Sequence, residues 1–497
     1  MQKIRKIYKF LLLLFPAALY FSYFPVITLG HDETMNFELS IPLIWLVLFD
    51  IVALILMGLQ KKLVLFGQKW KYLLFPVFAS LSIIWSDNVL RGVLTAGIMW
   101  ALYIAVFAIL VLRDEVMNSG FRQKMLKIFL GASLIVCIWC FVQCILDIVG
   151  VGRECSLLCQ GCVSLMFGFP HPNGFAIEPQ FMGNLLIAPT IVTGWLILKY
   201  NTSNLVRERS KLLVLYFMIF TVTLFLTFSR GAIYAFGVGM VFLTAFILVK
   251  AKKSGWGKVW KKVGLVWGMI ILSFAFTLNA QGVMAELGPT NDTYKSAIVK
   301  ALNHLSLGII DLREKINETP VDVDAPVAIA STEMVSSETT ESADDVVAKE
   351  NAIFDGYVTE STEERKKMTS NALSVWSSSF GNVMFGVGLG GAGRAMQEAG
   401  LIDNANEIVQ NQYVSVLLET GLVGIVFLVI LLVFVLKLVI RLPINSLLLT
   451  LFVAYGVSLF FFAGLPNALH IYLMPVIVFA MLDNKDECDT IKVIKNK

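Results

Sequence analysis

The sequence predicts an all-α polytopic membrane protein: about twelve transmembrane helices, with one large extracytoplasmic loop between helices nine and ten. Three observations carry this. Of 497 residues, 57% are hydrophobic and 15% charged, at a mean hydropathy of +0.75, outside the range of soluble globular chains. Apolar runs long enough to cross about 30 Å of hydrocarbon recur with short breaks. Lysine and arginine also alternate from loop to loop as the positive-inside rule requires.

In chain order the runs are 10–29, 42–59, 71–85, 89–112, 128–149, 181–198, 212–228, 232–249, 263–278, 414–436, 447–462 and 469–482. The first follows Lys3, Arg5, Lys6 and Lys9 without a small-x-small cleavage site, and reads as an uncleaved span. The N-terminus, the even-numbered loops and the C-terminus hold 28 of the 40 basic residues. Nine more lie in the loop 279–412, which is long enough to be translocated regardless of charge, and the short outer loops keep only Arg91, Arg153 and Arg230. Both termini are therefore expected on the cytoplasmic side. The expected organisation is nine helices over 1–278, the loop 279–412, three helices over 413–482 and a cytoplasmic tail, 483–497. A net charge of +4, with no basic patch interleaved with aromatics, speaks against nucleic acid as a partner.

The outer segments differ in character. Residues 150–180 are too broken by Gly and Pro for one helix and too apolar for a plain loop, so a re-entrant or interfacial turn is expected. It delivers His171, read as a turn residue, then Asn173 and Glu178 to the sixth span. Glu178 is either a base at the outer mouth or a carboxylate capping the span's N-terminus. Cys155, Cys159 and Cys162 allow one disulfide with one thiol left over, whereas Cys137, Cys140 and Cys144 recur at helical spacing on one packed face.

The loop 279–412 holds twenty acidic against nine basic residues. AIVKALNHLSLGIIDLREKI has the apolar period of a surface-lying helix. The stretch 320–352 is rich in Ser, Thr, Asp and Glu without an aromatic, and is expected to be disordered. STEERKKMTSNALSVW forms a second amphipathic helix leading to Gly386, Gly388, Gly390, Gly391 and Gly393. Those glycines read as a backbone floor for a bulky polar substrate, Gly388 and Gly390 at its centre.

Gln410 and Asn411 are followed by nine residues, then Gly421 and Gly424. With Trp85-Ser86-Asp87 before one span and Thr227-Phe-Ser-Arg-Gly-Ala232 between two others, this resembles the O-antigen ligase and O-antigen polymerase (Wzy-like) family of bacterial membrane glycosyltransferases. The resemblance implies a multi-pass enzyme of the bacterial plasma membrane, working at its outer face. The donor would be a glycan on a polyprenyl (undecaprenyl) diphosphate, and the other partners a glycan acceptor and membrane lipid. The ligases' motif starts with histidine. Gln410 stands there instead, and a neutral amide cannot take a proton, so a polymerase of capsule or other surface polysaccharide is favoured over a ligase.

The resemblance also implies roles. Arg230, with Arg91 or Arg394, would stabilise charge on the departing diphosphate, a planar fork suiting it better than an ammonium. The plainer readings are a snorkelling Arg230 and an Arg91 that anchors the interface beside Trp85. Gln410 and Asn411 would position the acceptor, with Glu178 or Glu407 as base. Glu419 would orient that amide pair or pair with Arg230. Many family members carry an arginine one turn before the tryptophan. Ala372 occupies that position here, and Arg365 either substitutes for it or belongs with Lys366 and Lys367 to a solvated face. No metal and no cofactor is expected, since a lipid-linked donor needs no nucleotide-sugar site. A polysaccharide or lipid transporter is the alternative from another class; the lack of a visible internal repeat counts against it.

Overall fold

The structure is a computed structural model that describes residues 1–22, 26–32, 35–68, 70–116, 118–149, 171–176, 178–199, 207–251, 256–287, 293–306, 363–405, 407–442, 444–463 and 468–482. Among them, each of the twelve apolar runs carries a helix. The first nine are α1 (Gln2–Ala18), α2 (Ile41–Leu59), α3 (Leu74–Leu81, with 3₁₀ turns Trp70–Leu73 and Ser82–Trp85 on either side), α4 (Val89–Val116), α5 (Ser119–Ile148), α6 (Pro179–Lys199), α7 (Arg207–Leu226), α8 (Arg230–Ala251) and α9 (Trp256–Leu287). The outer loop adds α10 (Tyr294–Leu305), α11 (363–377), α12 (Phe380–Phe385) and α13 (Ala392–Glu398). The chain closes with α14 (Gln412–Ile440), α15 (Asn445–Ser458) and α16 (Leu469–Leu482). Seven of these, α2, α4, α5, α6, α8, α9 and α14, are long and apolar enough to cross a membrane.

Two expectations need correction. The first helix ends at Ala18, and Val26 opens a strand, β1 (Val26–Asp32), paired antiparallel with β2 (Met35–Ser40) through Val26↔Ser40 and Asp32↔Met35. The fold is therefore not purely α. The signals are local: β-branched Val26, Ile27 and Thr28, and strict alternation in Met-Asn-Phe-Glu-Leu-Ser. The ninth helix also runs on past the expected end of its span at residue 278, to Leu287. The stretches expected to be a re-entrant turn over 150–170, with its three cysteines, and a disordered insert over 320–352 lie outside the described residues.

The hub is α6, buried on every side from Phe181 to Leu198 and packed against α7, α8, α15 and α16. A helix apolar all round belongs in an interior. Small residues let its neighbours close in: a Cβ on Gly183 would lie 2.8 Å from the Ala232 Cβ, and one on Gly239 of α8 3.1 Å from Ile191. Asn184 is pinned by the Ser458 hydroxyl (2.6 Å) and its carbonyl by Tyr455 (3.3 Å).

Polar contacts sort into two ends. At one, Lys62 Nζ donates to the Val111 carbonyl (3.3 Å), Lys262 to that of Leu198 (3.3 Å) and Lys250 to Asn445 Oδ1 (3.2 Å), while Arg113 lies over Phe479. The starts of α4 and α8, the loop helices and the turn after α15 gather at the other.

Helix α14 stands to one side, its apolar face paired with α3 through Phe78–Phe427 and Tyr72–Phe434. It is kinked at Gly421, where φ is +61°. From there to Ile440 is about 30 Å of helix, one hydrocarbon thickness, so the first turns of α14 rise above that layer.

Candidate functional site

The site is built around the turn that starts α8. Thr227 Oγ1 accepts the Ser229 N–H (3.3 Å), Ser229 Oγ accepts that of Ala232 (3.4 Å), and Phe228 is forced to φ +47°, a costly conformation for a bulky residue. This sets Arg230 on the first helical position, only 9% exposed, where the helix N-terminus already favours anions.

Helix α10, capped by Thr293, closes over this turn. Its buried stripe Ala297, Ala301, His304 packs on Phe228, and Tyr234 donates to the Leu305 carbonyl. His304 Nε2–H donates to the Phe228 carbonyl (3.2 Å), and His171 packs tilted against the Phe228 ring at 5.2 Å with the His304 ring 6.5 Å away. His171 is thus buried in this cluster.

From α11 comes Arg365. Its guanidinium donates to Gln180 Oε1 (3.3 Å) and the Phe461 carbonyl (3.5 Å), which also accepts from Gln180 Nε2 (2.7 Å). Burial, then the charges of Arg230 and Arg365, push His304 down to about 3, so it is neutral at physiological pH. Burial likewise drives His171 well below its ordinary value, helped by His304. Glu178 stands at the edge, where desolvation raises its carboxyl above the usual range and Arg365 pulls the other way. Two guanidinium groups thus converge on one neutral imidazole. Sequence reasoning gave Arg230 and Glu178 to this place. It left Arg365 undecided and missed His304 and Gln180.

The Gln410–Gly424 block resolves into backbone devices. Asn411 caps α14, its Oδ1 accepting the N–H groups of Tyr413 (3.1 Å) and Val414 (3.2 Å). Gln410 is exposed just ahead of it. Gly421 breaks the helix, and the carbonyls of Leu418 and Glu419 accept instead from Val387 (2.9 Å) and Gly388 (3.0 Å). Gly424 leaves room for Thr420 and Phe78. The Gln412 N–H donates to the Leu459 carbonyl (3.0 Å), and Phe461, two residues on, lies against Gly231. The starts of α14 and α8 therefore flank the same turn.

The remaining expected residues form a different cluster. Gly388 (φ +88°) and Gly390 (φ +80°) face protein backbone: a Cβ on the first would come within 2.6 Å of the Ser82 carbonyl oxygen, on the second within 2.4 Å of the Gly92 nitrogen. The array packs as a docking seam against the start of α4. Glu419 anchors it, Oε1 accepting the Gly390 N–H (3.1 Å), with the Ala392 N–H and the Arg91 charge also on its carboxylate; neither Arg230 nor Asn411 is its partner there. Arg91 itself donates to the Ala405 carbonyl (3.4 Å). Arg394 is solvent-exposed and pairs within its own helix with Glu398 (3.1 Å), so it is no second cation for Arg230. Glu407 is half-buried, its carbonyl beside Gly393. Asp322 and Asp324, an Asp-x-Asp spacing that the expectation of a metal-free site overlooked, lie outside the described residues.

Fold and site together define a class: a polytopic helical membrane protein in which the helices between residues 293 and 398 fold back over the helix ends, around a buried cluster of arginine and histidine side chains. The O-antigen ligase family model matches residues 215–429, from α7 through the kink of α14, and over this span the chain is similar to that family. No curated protein and no solved structure matches the chain.

Proposed function

We propose that the protein polymerises polyprenyl-diphosphate-linked oligosaccharide repeat units into a surface polysaccharide at the non-cytoplasmic face, with both termini and the lysine-bearing helix ends in the cytoplasm. The observation that carries this reading is the convergence of Arg230 and Arg365 at the N-terminus of α8. A diphosphate needs fixed cations where charge develops, and two forks on a helix dipole meet that need.

In the reaction the acceptor hydroxyl oxygen bonds to the anomeric carbon of the donor glycan, and that carbon's bond to the diphosphate oxygen breaks. The electron pair leaves with the polyprenyl diphosphate, held by Arg230 and Arg365. The hydroxyl proton passes to a base. Glu178 takes that role: its raised carboxyl is a better proton acceptor than an ordinary one, and Arg365 orients it. Glu407 is the second choice, set beside the glycine seam. Gln410, exposed ahead of the α14 cap, offers its amide to the acceptor. A ligase would share this chemistry, and Gln410 at the position of the ligases' histidine is what favours polymerisation.

The test is glycan chain length in a strain carrying Arg230→Ala. Accumulation of single repeat units on the lipid is the expected result; surface polymer of unchanged length would refute the site.

A further inference from the structure

At the same end of the molecule, a separate cleft of about 890 Å³ opens between the exit of α3 and helices α11, α12 and α13. Phe78, Trp85 and Phe385 make its apolar wall. Trp85 and Phe385 remain 40% and 46% exposed, with ring centroids 6.4 Å apart and planes at 76°. Asn382, Asp87 and Glu398 supply polar groups, and the two acids are the only charged residues among those lining it.

Glu398 is paired with Arg394 (3.1 Å), so Asp87 is the acid that disfavours a diphosphate and an anionic lipid headgroup alike. Carboxylates and an amide accept hydrogen bonds from hydroxyls, and aromatic faces, negative at their centres, attract the weakly positive C–H faces of sugars. We infer that this cleft seats the hydroxyl-rich, uncharged glycan of the acceptor; the inference rests on the transferase reading above.

Position supports it. Arg365 and Ser374 lie on opposite faces of one helix, α11, the first in the cationic cluster and the second on the cleft wall. Nine residues of helix separate them by about 14 Å along the axis and half a turn around it, so a bridging ligand must pass around α11, a reach that calls for an oligosaccharide in place of a single sugar. One end of the glycan would then meet the diphosphate-bearing carbon while its body lies along the aromatic wall.

The test uses full-length protein in lipid nanodiscs and, as probe, the repeat-unit oligosaccharide released by mild acid from the host's lipid-linked pool, with affinity read by calorimetry. Trp85→Ala and Asp87→Ala should each weaken binding about tenfold, and Arg230→Ala should leave it intact. Asp87 is exposed, so if Trp85→Ala fails to fold, Asp87→Ala decides alone. Unchanged affinity in a folded variant overturns the inference. So does quenching of Trp85 fluorescence by brominated phosphatidylglycerol that the oligosaccharide does not relieve, since lipid then fills the cleft. Loss of polymer in Arg230→Ala with normal oligosaccharide binding in Trp85→Ala refutes this site alone; the reverse pattern refutes the transferase assignment and keeps the glycan site.

Discussion

Replacing Gly390 by alanine separates a docking seam from a substrate floor. At φ +80° an L side chain is strained by about 1–2 kcal/mol. Its Cβ would also meet the Gly92 nitrogen at 2.4 Å and the Arg91 carbonyl carbon and Gly92 Cα at 2.8 Å. All are backbone atoms that cannot rotate away, so overpacking adds about 1–3 kcal/mol, for a total of about 2–5 kcal/mol. Gly400 is the internal control: its φ is +68°, but no atom lies within 4 Å of a Cβ there, so Gly400→Ala carries the conformational cost alone, about 1–2 kcal/mol. Thermal denaturation of the detergent-purified full chain should therefore give a lower midpoint, and a lower folded yield, for Gly390→Ala than for Gly400→Ala. Equal midpoints, with glycan transfer lost only in Gly390→Ala, would refute the docking argument and restore the substrate floor.

Arg365→Ala should slow chain extension in proteoliposomes by about 10²–10³, with Lys a poor substitute because a point charge cannot fork, whereas Lys366→Ala, a change at an exposed residue paired with Glu363, should be near neutral. The rate should fall on acidification through the raised titration of Glu178, since the carboxylate that accepts the proton is lost at a higher pH than usual. Glu178→Gln should remove that limb, and Arg365→Ala, by withdrawing the cation that holds the value down, should move it to higher pH. Asn411→Ala should cost about 1 kcal/mol through loss of the α14 cap, and Asn411→Asp should keep the stability because a carboxylate caps equally well, a comparison read by thermal melts.

The helices were legible because hydropathy over twenty residues averages out local detail. The hairpin 26–40 was not, because its period-2 pattern abuts an apolar run and merges with it in any window of that length. Arg365 was within reach. It stands three residues before Met368, seven before Ala372 and eleven before Trp376, on the face of α11 that packs inward, while Lys366 and Lys367 fall off it. His304 likewise completes the buried stripe with Ala297 and Ala301. What no local pattern carried was the partner of each glycine, since a seam between residues 82–92 and 386–393 is a tertiary fact.

The Gln410–Gly424 block can now be divided by task. Asn411 closes the first turn of α14, Gly421 releases two carbonyls to the glycine loop, Gly424 admits Thr420 and Phe78, and Glu419 holds the loop's amides. Four of its members thus build the platform by hydrogen bonds and close approach, none of which involves moving a proton. Of these five named residues, Gln410 is the one that is exposed. Exchanging an imidazole for an amide there leaves the platform intact and removes just the proton acceptor. On the proposed reading the base lies elsewhere, and Glu178, an exposed carboxyl raised by partial desolvation at the edge of the Arg365 cluster, is the candidate for it.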